Sequence, residues 1–504
     1  MRFSVKKFLS QRRKKMKVNK NYIHFIIGCI IMFAFRMIPV GVLPAVTEVG
    51  LQVMGIFIGT IYLWTTIDPL TSSLWAIVML AFSDLAPVGA VITAVFGNPV
   101  VVQMFFLMIF MGGLTNRRLT VYIGRWILTR KFIEGKPWVF TITVLVGAYV
   151  MSVFIGAFAP IFLFWPILYG VFEDVGFKKT DKYPRMMVLC VVIAALCGFP
   201  VPPYMANGLA LLGNYRGLLQ NFPALAAMEG VMVSNGAYFA GCFALGLINV
   251  LVAVAVMKFV FKPDVSPLKN VTIEMLDKNP LPPMNKSQKV YGVFLVIFIF
   301  IMLVPSILPT LPVLSFLNAN SLILGTVLVT ILCIIDCGDG PVLKMNEVMG
   351  KDFAWPTYWL CVSAIYIGSA LTDGATGIVP FLNIILSPIF NGMSATVFTI
   401  VLMLVTVILT NISNSLVIGM ILQPVILTYC ANAGVNPAPI ISIGIFTVLS
   451  TAACTPAASP FAAMLFGNKE YLSSSDVYKY SITIVAVEML VILVLGVPLL
   501  NILL

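Results

Sequence analysis

Apolar runs of about twenty residues follow one another from Tyr22 to Leu503, each long enough to cross about 30 Å of hydrocarbon. Inside lipid the backbone must satisfy its own hydrogen bonds, so a spanning segment is either a helix or a strand of a closed barrel. Unbroken runs of this length, without strict alternation of polar and apolar positions, mean helices. The chain is 60% hydrophobic and 10% charged, with a mean hydropathy of +1.03, which a water-soluble domain of 504 residues does not carry. The fold class expected is an all-α polytopic membrane protein.

The formal net charge of +12 does not mark a nucleic-acid binder, because Lys and Arg fall in short loops between apolar runs, where they set membrane orientation. No nucleic acid is expected as a partner; the lipid bilayer is. Residues 1–20 form a basic cytoplasmic arm without a cleavage site, which is not a signal peptide. Spans at Tyr22 to Val40, Val49 to Ile67, Leu70 to Val88 and Val100 to Thr115 return the chain to the inside at Asn116-Arg117-Arg118, in keeping with the positive-inside rule. Thr120 to Lys131 has the spacing of a helix lying on the membrane surface. The nine cysteines, Cys29, Cys190, Cys197, Cys242, Cys333, Cys337, Cys361, Cys430 and Cys454, sit within or at the ends of apolar runs and read as small apolar fillers. Cys333 and Cys337, close to Asp336 and Asp339, have the types for a soft-metal site, but a loop at a helix end is the default reading.

Two segments defeat ordinary counting. Residues 137–172 are flanked by Arg125, Arg130, Lys131 and Lys136 on one side and Lys178, Lys179, Lys182 and Arg185 on the other, so both flanks belong in the cytoplasm. Two half-helices turning near Gly156 to Pro160 resolve this, provided that the turn is packed in protein. Residues 186–212 form a helix broken at Cys197 to Tyr204, where Pro200, Pro202 and Pro203 remove amide donors at mid-membrane depth. A hydrophilic linker at 261–289 then separates the first helix and first repeat (21–260) from a second repeat (290–504). The second repeat contains 117 residues between Lys351 and Lys469 without a Lys or Arg (469 − 351 − 1). This basic-free stretch holds a second hairpin at 393–430, turning at Ser413-Asn414-Ser415, and a second broken helix at 438–466, interrupted at Cys454 to Pro460. With about eleven transmembrane helices and two re-entrant hairpins, only Arg216 lies outside and Arg36 within the first helix; the other 29 of 31 basic residues (31 − 2) lie at the inner side. The expected location is the plasma (inner) membrane, with a cytoplasmic N-terminus and an extracytoplasmic C-terminus.

The two halves match at a constant offset of 257 residues: Pro99 with Pro356, Leu114-Thr115 with Leu371-Thr372, Cys197 with Cys454, and Pro203-Tyr204-x-Ala206 with Pro460-Phe461-x-Ala463. Because the halves enter from opposite sides, the repeat is inverted. Paired hairpin tips and paired helix breaks build a solute site near the bilayer midplane. Half-helix N-termini carry roughly half a positive charge each, so an anion is held there without Lys or Arg. The candidate substrate-binding residues are Ser413, Asn414, Ser415, Thr455, Ser459, Asn207, Gly156 and Ala157, with Pro200, Pro203, Pro456 and Pro460 as the structural breaks. Ser413, Asn414 and Thr455 form a candidate sodium site, Na+ being the only cofactor-like species expected. Duller readings stand beside these. The serines back-bond within a helix, Asn414 caps one, Thr455 and Ser459 satisfy freed backbone, and Asp68 and Asp373 cap helix ends. His24 reads as an interfacial residue, and Asn411 and Thr372 as weaker site candidates.

Several motifs together resemble the divalent anion:sodium symporter family, within the wider ion transporter superfamily. They are Asp68-Pro69-Leu70-Thr71-Ser72-Ser73-Leu74, Leu119 to Lys131, Ser413-Asn414-Ser415, and Thr455 to Phe466 followed by Gly467-Asn468-Lys469. The resemblance covers roughly Glu48 to Leu504. It implies a homodimer with a scaffold and a transport domain that moves as an elevator, carrying dicarboxylate, tricarboxylate or sulfate with sodium. The family's Ser-Asn-Thr signature at each tip is kept in kind at Ser413-Asn414-Ser415, although Pro424 comes one residue late. At the first tip the triplet is Gly156-Ala157-Phe158, so three side-chain ligands are missing and Phe158 adds bulk. A weakened or absent first sodium site is expected.

The function expected is secondary active transport of a small anion, with a proton-coupled carrier or exchanger of a different solute as the alternative. A non-transporting sensor or receptor is the reading from another class. An enzyme is not expected: there is one histidine, no His-Glu-x-x-His and no intramembrane carboxylate pair.

Overall fold

The computed structural model describes residues 20–504 apart from 277–280, 309, 339 and 391. The basic arm, up to residue 19, and Asp339 therefore lie outside the described residues. Regular structure among the described residues is helical, apart from a single bridge between Asp336 and Pro341.

Nine described helices are long and apolar enough to cross a bilayer, or ten if the bent pair Pro312–Ala319 and Ile323–Ile334 counts as one span. Three of the nine, Pro137–Ile155, Ala395–Ile412 and Ser415–Ala433, are hairpin arms. Length alone therefore does not separate an arm from a crossing. The expected third span, Leu70 to Val88, is shorter than the hydropathy suggested. Its helix is Pro69–Ala81, started by the Asp68 carboxylate accepting from Thr71 N at 2.7 Å, and a separate helix Val88–Phe96 follows Pro87. The first helix ends at Ala34 and tightens into a 3-10 turn at Phe35–Met37. Arg36 lies in this turn, within the last residues of the span Lys20–Met37, and its guanidinium donates to Gln52 Oε1 (3.1 Å) and Phe82 O (3.0 Å).

Both expected hairpins form. The first runs Pro137–Ile155, turns at Gly156 (φ 109°, ψ 155°) and returns as Phe158–Asp174. The second runs Ala395–Ile412, turns at Ser413 and Asn414, and returns as Ser415–Ala433. Both expected broken helices form as well. Lys182–Gly198 and Ala206–Leu219 flank one break, Ala438–Ser450 and Pro460–Gly467 the other. The repeat register holds at the turns, because Gly156 and Ser413 (156 + 257) each close the first arm of their hairpin. Phe158 and Ser415 (158 + 257) each open the second arm.

Helices that are apolar on every face end up in the interior. Every residue from Met186 to Gly198 is buried, as is every residue from Ile445 to Ser450, so the broken helices are the core of the molecule. The outer arm of the second hairpin instead exposes Val397, Val401, Leu404, Ile408 and Ile412, a stripe at helical spacing suited to lipid.

The loops gather at two ends. One end joins Arg117 to Pro341 and Val342, Gly135 to Val271, Lys182 to Phe261, Lys179 to Glu470 (2.6 Å) and Arg185 to Asp476 (3.0 Å). The other joins Thr47 to Ala375, Asn221 to Thr372, Arg216 to Asn235 and Asn436 to Gly230. The basic loops thus share one end, and Arg216 lies at the opposite one.

Candidate functional site

The second hairpin tip is tied to the second break by polar bonds. Asn411 Nδ2 donates to Thr451 O (3.0 Å) and its Oδ1 accepts from Cys454 N (2.8 Å), while Thr455 Oγ1 donates to Asn411 O (2.6 Å). Ser415 N donates to Ala458 O (3.0 Å). Asn411, a minor candidate from sequence, is the knot of this junction. At the break, Ser459 Oγ donates to Ala452 O (2.7 Å) and accepts from Ala462 N (3.0 Å), capping the short helix that follows. Asn414 also caps, its Oδ1 accepting from Leu416 N (3.0 Å) and Val417 N (3.4 Å). Gln423 joins the same hairpin to the first broken helix, donating to Leu211 O (2.9 Å) and accepting from Asn214 Nδ2 (2.7 Å), a buried pair that the sequence reading did not single out.

The first tip is built differently. Phe158 stands with its ring 4.5 Å from that of Phe461, which meets Phe199 of the first break edge-on at 5.1 Å. Where the second half uses hydroxyls and an amide, the first half uses aromatic packing. Carbonyls freed at the first break are met by side chains, Tyr238 Oη donating to Pro200 O (2.8 Å). Pro200, Pro203, Pro456 and Pro460 all fall in or at the edge of a break.

Two adjoining cavities lie between tips and breaks. The first, about 120 Å³, is walled by Asn414, Ser415, Ser459, Asn207, Thr357 and Pro69, among others, and has no charged side chain in its wall. The second, about 230 Å³, takes in Gly156, Ala157, Phe158, Tyr204 and Asp352 and shares Asn207, Thr357, Phe199, Pro460 and Phe461 with the first. The wall of the first cavity contains the opening turns of five helices, those beginning at Pro69, Ala206, Trp355, Ser415 and Pro460. Four of these have no charged cap; the fifth is capped by the Asp68 carboxylate. Helix starts carry a partial positive charge, which these five direct at the cavity, although Asp68, Asn414 and Ser459 already cap amides of three of them.

Three buried polar atoms near this region lack a partner among the described residues: Ser413 Oγ, Asn207 Oδ1 and Tyr204 Oη. A buried polar group left unpaired costs about 1–3 kcal/mol, and a cluster of them beside a cavity is a place where a bound solute supplies the missing bonds. Of the eight candidate residues, Asn414, Ser415, Ser459 and Asn207 line the first cavity, and Asn207, Gly156 and Ala157 line the second. Thr455 and Ser413 line neither; the Thr455 hydroxyl is turned to the hairpin backbone. Thr372 lies away from the cavities at the Arg216 end, accepting from Asn221 Nδ2 (2.8 Å), and Asp373 accepts from Ala375 N (2.8 Å) as a cap. His24 Nδ1 is 2.8 Å from Tyr62 Oη. Among the described residues no group of three or more His, Cys, Asp or Glu is placed to hold a metal ion, the Cys333–Cys337 loop included.

Sequence reasoning missed Glu488. This carboxyl is fully buried in the last helix, its Oε1 accepting from Cys197 Sγ at 3.3 Å and its Oε2 without a partner among the described residues. The signal was present, since Glu488 is the one charged residue after Lys479 and sits in an apolar run.

No protein-family model matches the chain, and no curated protein does. Among solved structures, the fold resembles that of the YdaH transporter from Alcanivorax borkumensis, with a TM-score of 0.56 and 16% identity over 82% of this chain and 89% of that one. At this identity the likeness is one of fold: a polytopic helical membrane architecture shared with a transporter.

Proposed function

We propose that this chain is a secondary active transporter of a small anion, a di- or tricarboxylate or an inorganic oxyanion, bound in the first cavity by helix-start amides together with Asn414, Ser415, Ser459 and Asn207. The observation that carries the reading is the convergence of five helix openings on a cavity whose wall holds no charged side chain. The fold shared with a transporter supports it, as does the pairing of hairpin tips with helix breaks. Movement of the hairpins and broken helices against the remaining helices, within a homodimer, is the elevator scheme implied by the resemblance to divalent anion:sodium symporters.

Neutral oxygens suit sodium. Ser413 Oγ is buried and unpaired among the described residues, and Thr455 Oγ1 spends its proton on Asn411 O, which leaves its lone pairs as acceptors. These two residues fit a coupling ion better than Asn414, whose oxygen is committed to the helix cap. At the first tip Phe158 takes the place of such donors, and coupling through a sodium ion there is not part of this reading.

The test is uptake of labelled succinate, citrate and sulfate into vesicles containing the purified protein, with sodium or with choline in its place. Uptake of at least one anion is expected, larger in sodium and abolished in Asn414→Ala with expression maintained. Undiminished uptake by that variant would sink the assignment of the first cavity.

A further inference from the structure

The last helix carries a group for which the anion site has no use. Glu488 lies midway along the 30-residue apolar span Ser474–Leu503, and one turn beyond it the helix loosens into a π segment at Ile492–Gly496. Such segments weaken the regular ladder and accompany functional positions. The carboxyl is sealed from solvent, takes a single hydrogen bond from Cys197 Sγ at 3.3 Å and leaves Oε2 unpaired among the described residues. Cys197 is in the last turn before the first break, and its repeat partner Cys454, in the second break, is within electrostatic reach of the same carboxyl. Glu488 is therefore bonded to the helix that leads into the first break and lies within electrostatic reach of the second.

Among the described residues its surroundings offer it no cation. From Lys182–Gly198 it accepts from the Cys197 thiol and has Cys190 within electrostatic reach. The helix Asn235–Ala255, packed against the last helix, carries Tyr238, Cys242 and the fully buried Asn249, whose side-chain amide is unpaired at both atoms among the described residues, and no charged residue. The short helix Pro460–Gly467 and the π segment contribute no titratable group. Arg185 is bound to Asp476 at 3.0 Å, twelve residues or about 18 Å along the axis (488 − 476), and Lys258 rests on the Trp138 ring at 5.6 Å. The half-helix that reaches Glu488, Lys182–Gly198, does so near its C-terminal, negative end. An ionised carboxylate has no cation among the described residues here to balance it, so the neutral acid is the form this packing accommodates.

We propose that Glu488 is a proton-binding site. Its carboxylate takes a proton from water before the breaks close over it, holds it as the neutral acid in this packing, and returns it to water when the breaks part from the last helix. Nothing but the proton is exchanged. The proposal deepens the carrier reading and rests on it, because it needs the breaks to move during a transport cycle.

Two measurements on the full-length protein in lipid decide it. Infrared spectra recorded from about pH 5 to pH 9 should show a protonated-carboxyl band that fades as pH rises and is missing in Glu488→Gln. Cys197→Ala should shift that band by removing its hydrogen-bond donor. Absence of the band, or a band unchanged over the whole range, overturns the proposal, since a locked structural acid does not exchange. In vesicles, an inward proton gradient should accelerate wild-type succinate uptake several-fold, whereas Glu488→Gln should ignore the gradient and still be thermally stabilised by succinate. A Glu488→Gln protein that keeps the gradient response overturns it. Should no anion be taken up at all, the carrier reading fails, and the infrared result by itself upholds or overturns the proton site.

Discussion

Asn414 and Asn411 show how two asparagines of similar surroundings divide the work at a hairpin tip. Asn414 caps a helix with its Oδ1 and also lines the cavity, so capping and binding are both open to one side chain. Asn414→Asp separates them: aspartate caps as well as asparagine but sets a negative charge in the anion's place. The expected result is a folded protein with unchanged thermal unfolding and no anion uptake. Asn411 is structural, since its amide alone links the tip to Thr451 and Cys454. Asn411→Ala leaves buried backbone groups unpaired and should cost about 1–3 kcal/mol, read as a fall in the unfolding temperature. An unchanged temperature would mean that the tip is held by other contacts. Neither role was decided by composition, because each depends on which carbonyl or amide the fold brings within 3 Å of the side chain.

The hairpins and broken helices are held together by close backbone approach as much as by side chains. A Cβ at Gly198 would lie 2.6 Å from Tyr149 O of the first hairpin, whereas one at Gly156 would meet nothing within 4 Å. Gly156 is needed for another reason, its φ of 109° and ψ of 155°, a region that other residues enter at a cost of about 1–3 kcal/mol. Both Gly156→Ala and Gly198→Ala should lower the unfolding temperature, and Gly198→Ala should do so more, since a backbone carbonyl has to move. The reverse order would show that the first hairpin and its broken helix pack less closely than described. The hairpins themselves were legible from the chain, because basic residues flank both sides of 137–172 and a single crossing would put one flank outside. The boundaries were less so. Leu70 to Val88 reads as one apolar run, and only the geometry at Phe82 to Pro87 divides it.

At the scale of the whole molecule, the basic loops converge on one end and the Arg216 loop lies at the other. The positive-inside rule predicts that the basic end is the cytoplasmic one. A membrane-impermeant maleimide should label Glu229→Cys in intact cells and Lys178→Cys only after permeabilisation; the opposite pattern would invert the orientation. The two halves of the site are unequal within this frame. Hydrogen bonds hold the second tip against its break, while the first tip presents Phe158, 44% exposed, to the shared cavity wall. That asymmetry was readable in Gly156-Ala157-Phe158, but its consequence, a ring packed on Phe461 of the other repeat, was not.

By itself the sequence determined that the chain is helical and membrane-embedded, that it is built from two related halves, and that each half has one hairpin and one broken helix. These follow from hydropathy, charge placement, prolines and a fixed offset, all properties of neighbours along the chain. The tertiary structure decided which groups meet. Helix openings separated by as many as 391 residues (460 − 69) share one cavity, and Cys197 finds Glu488 across 291 residues. Hydrogen bonds and helix-end fields act over a few ångströms of space, whatever the distance along the chain, so the site exists only once the helices are packed.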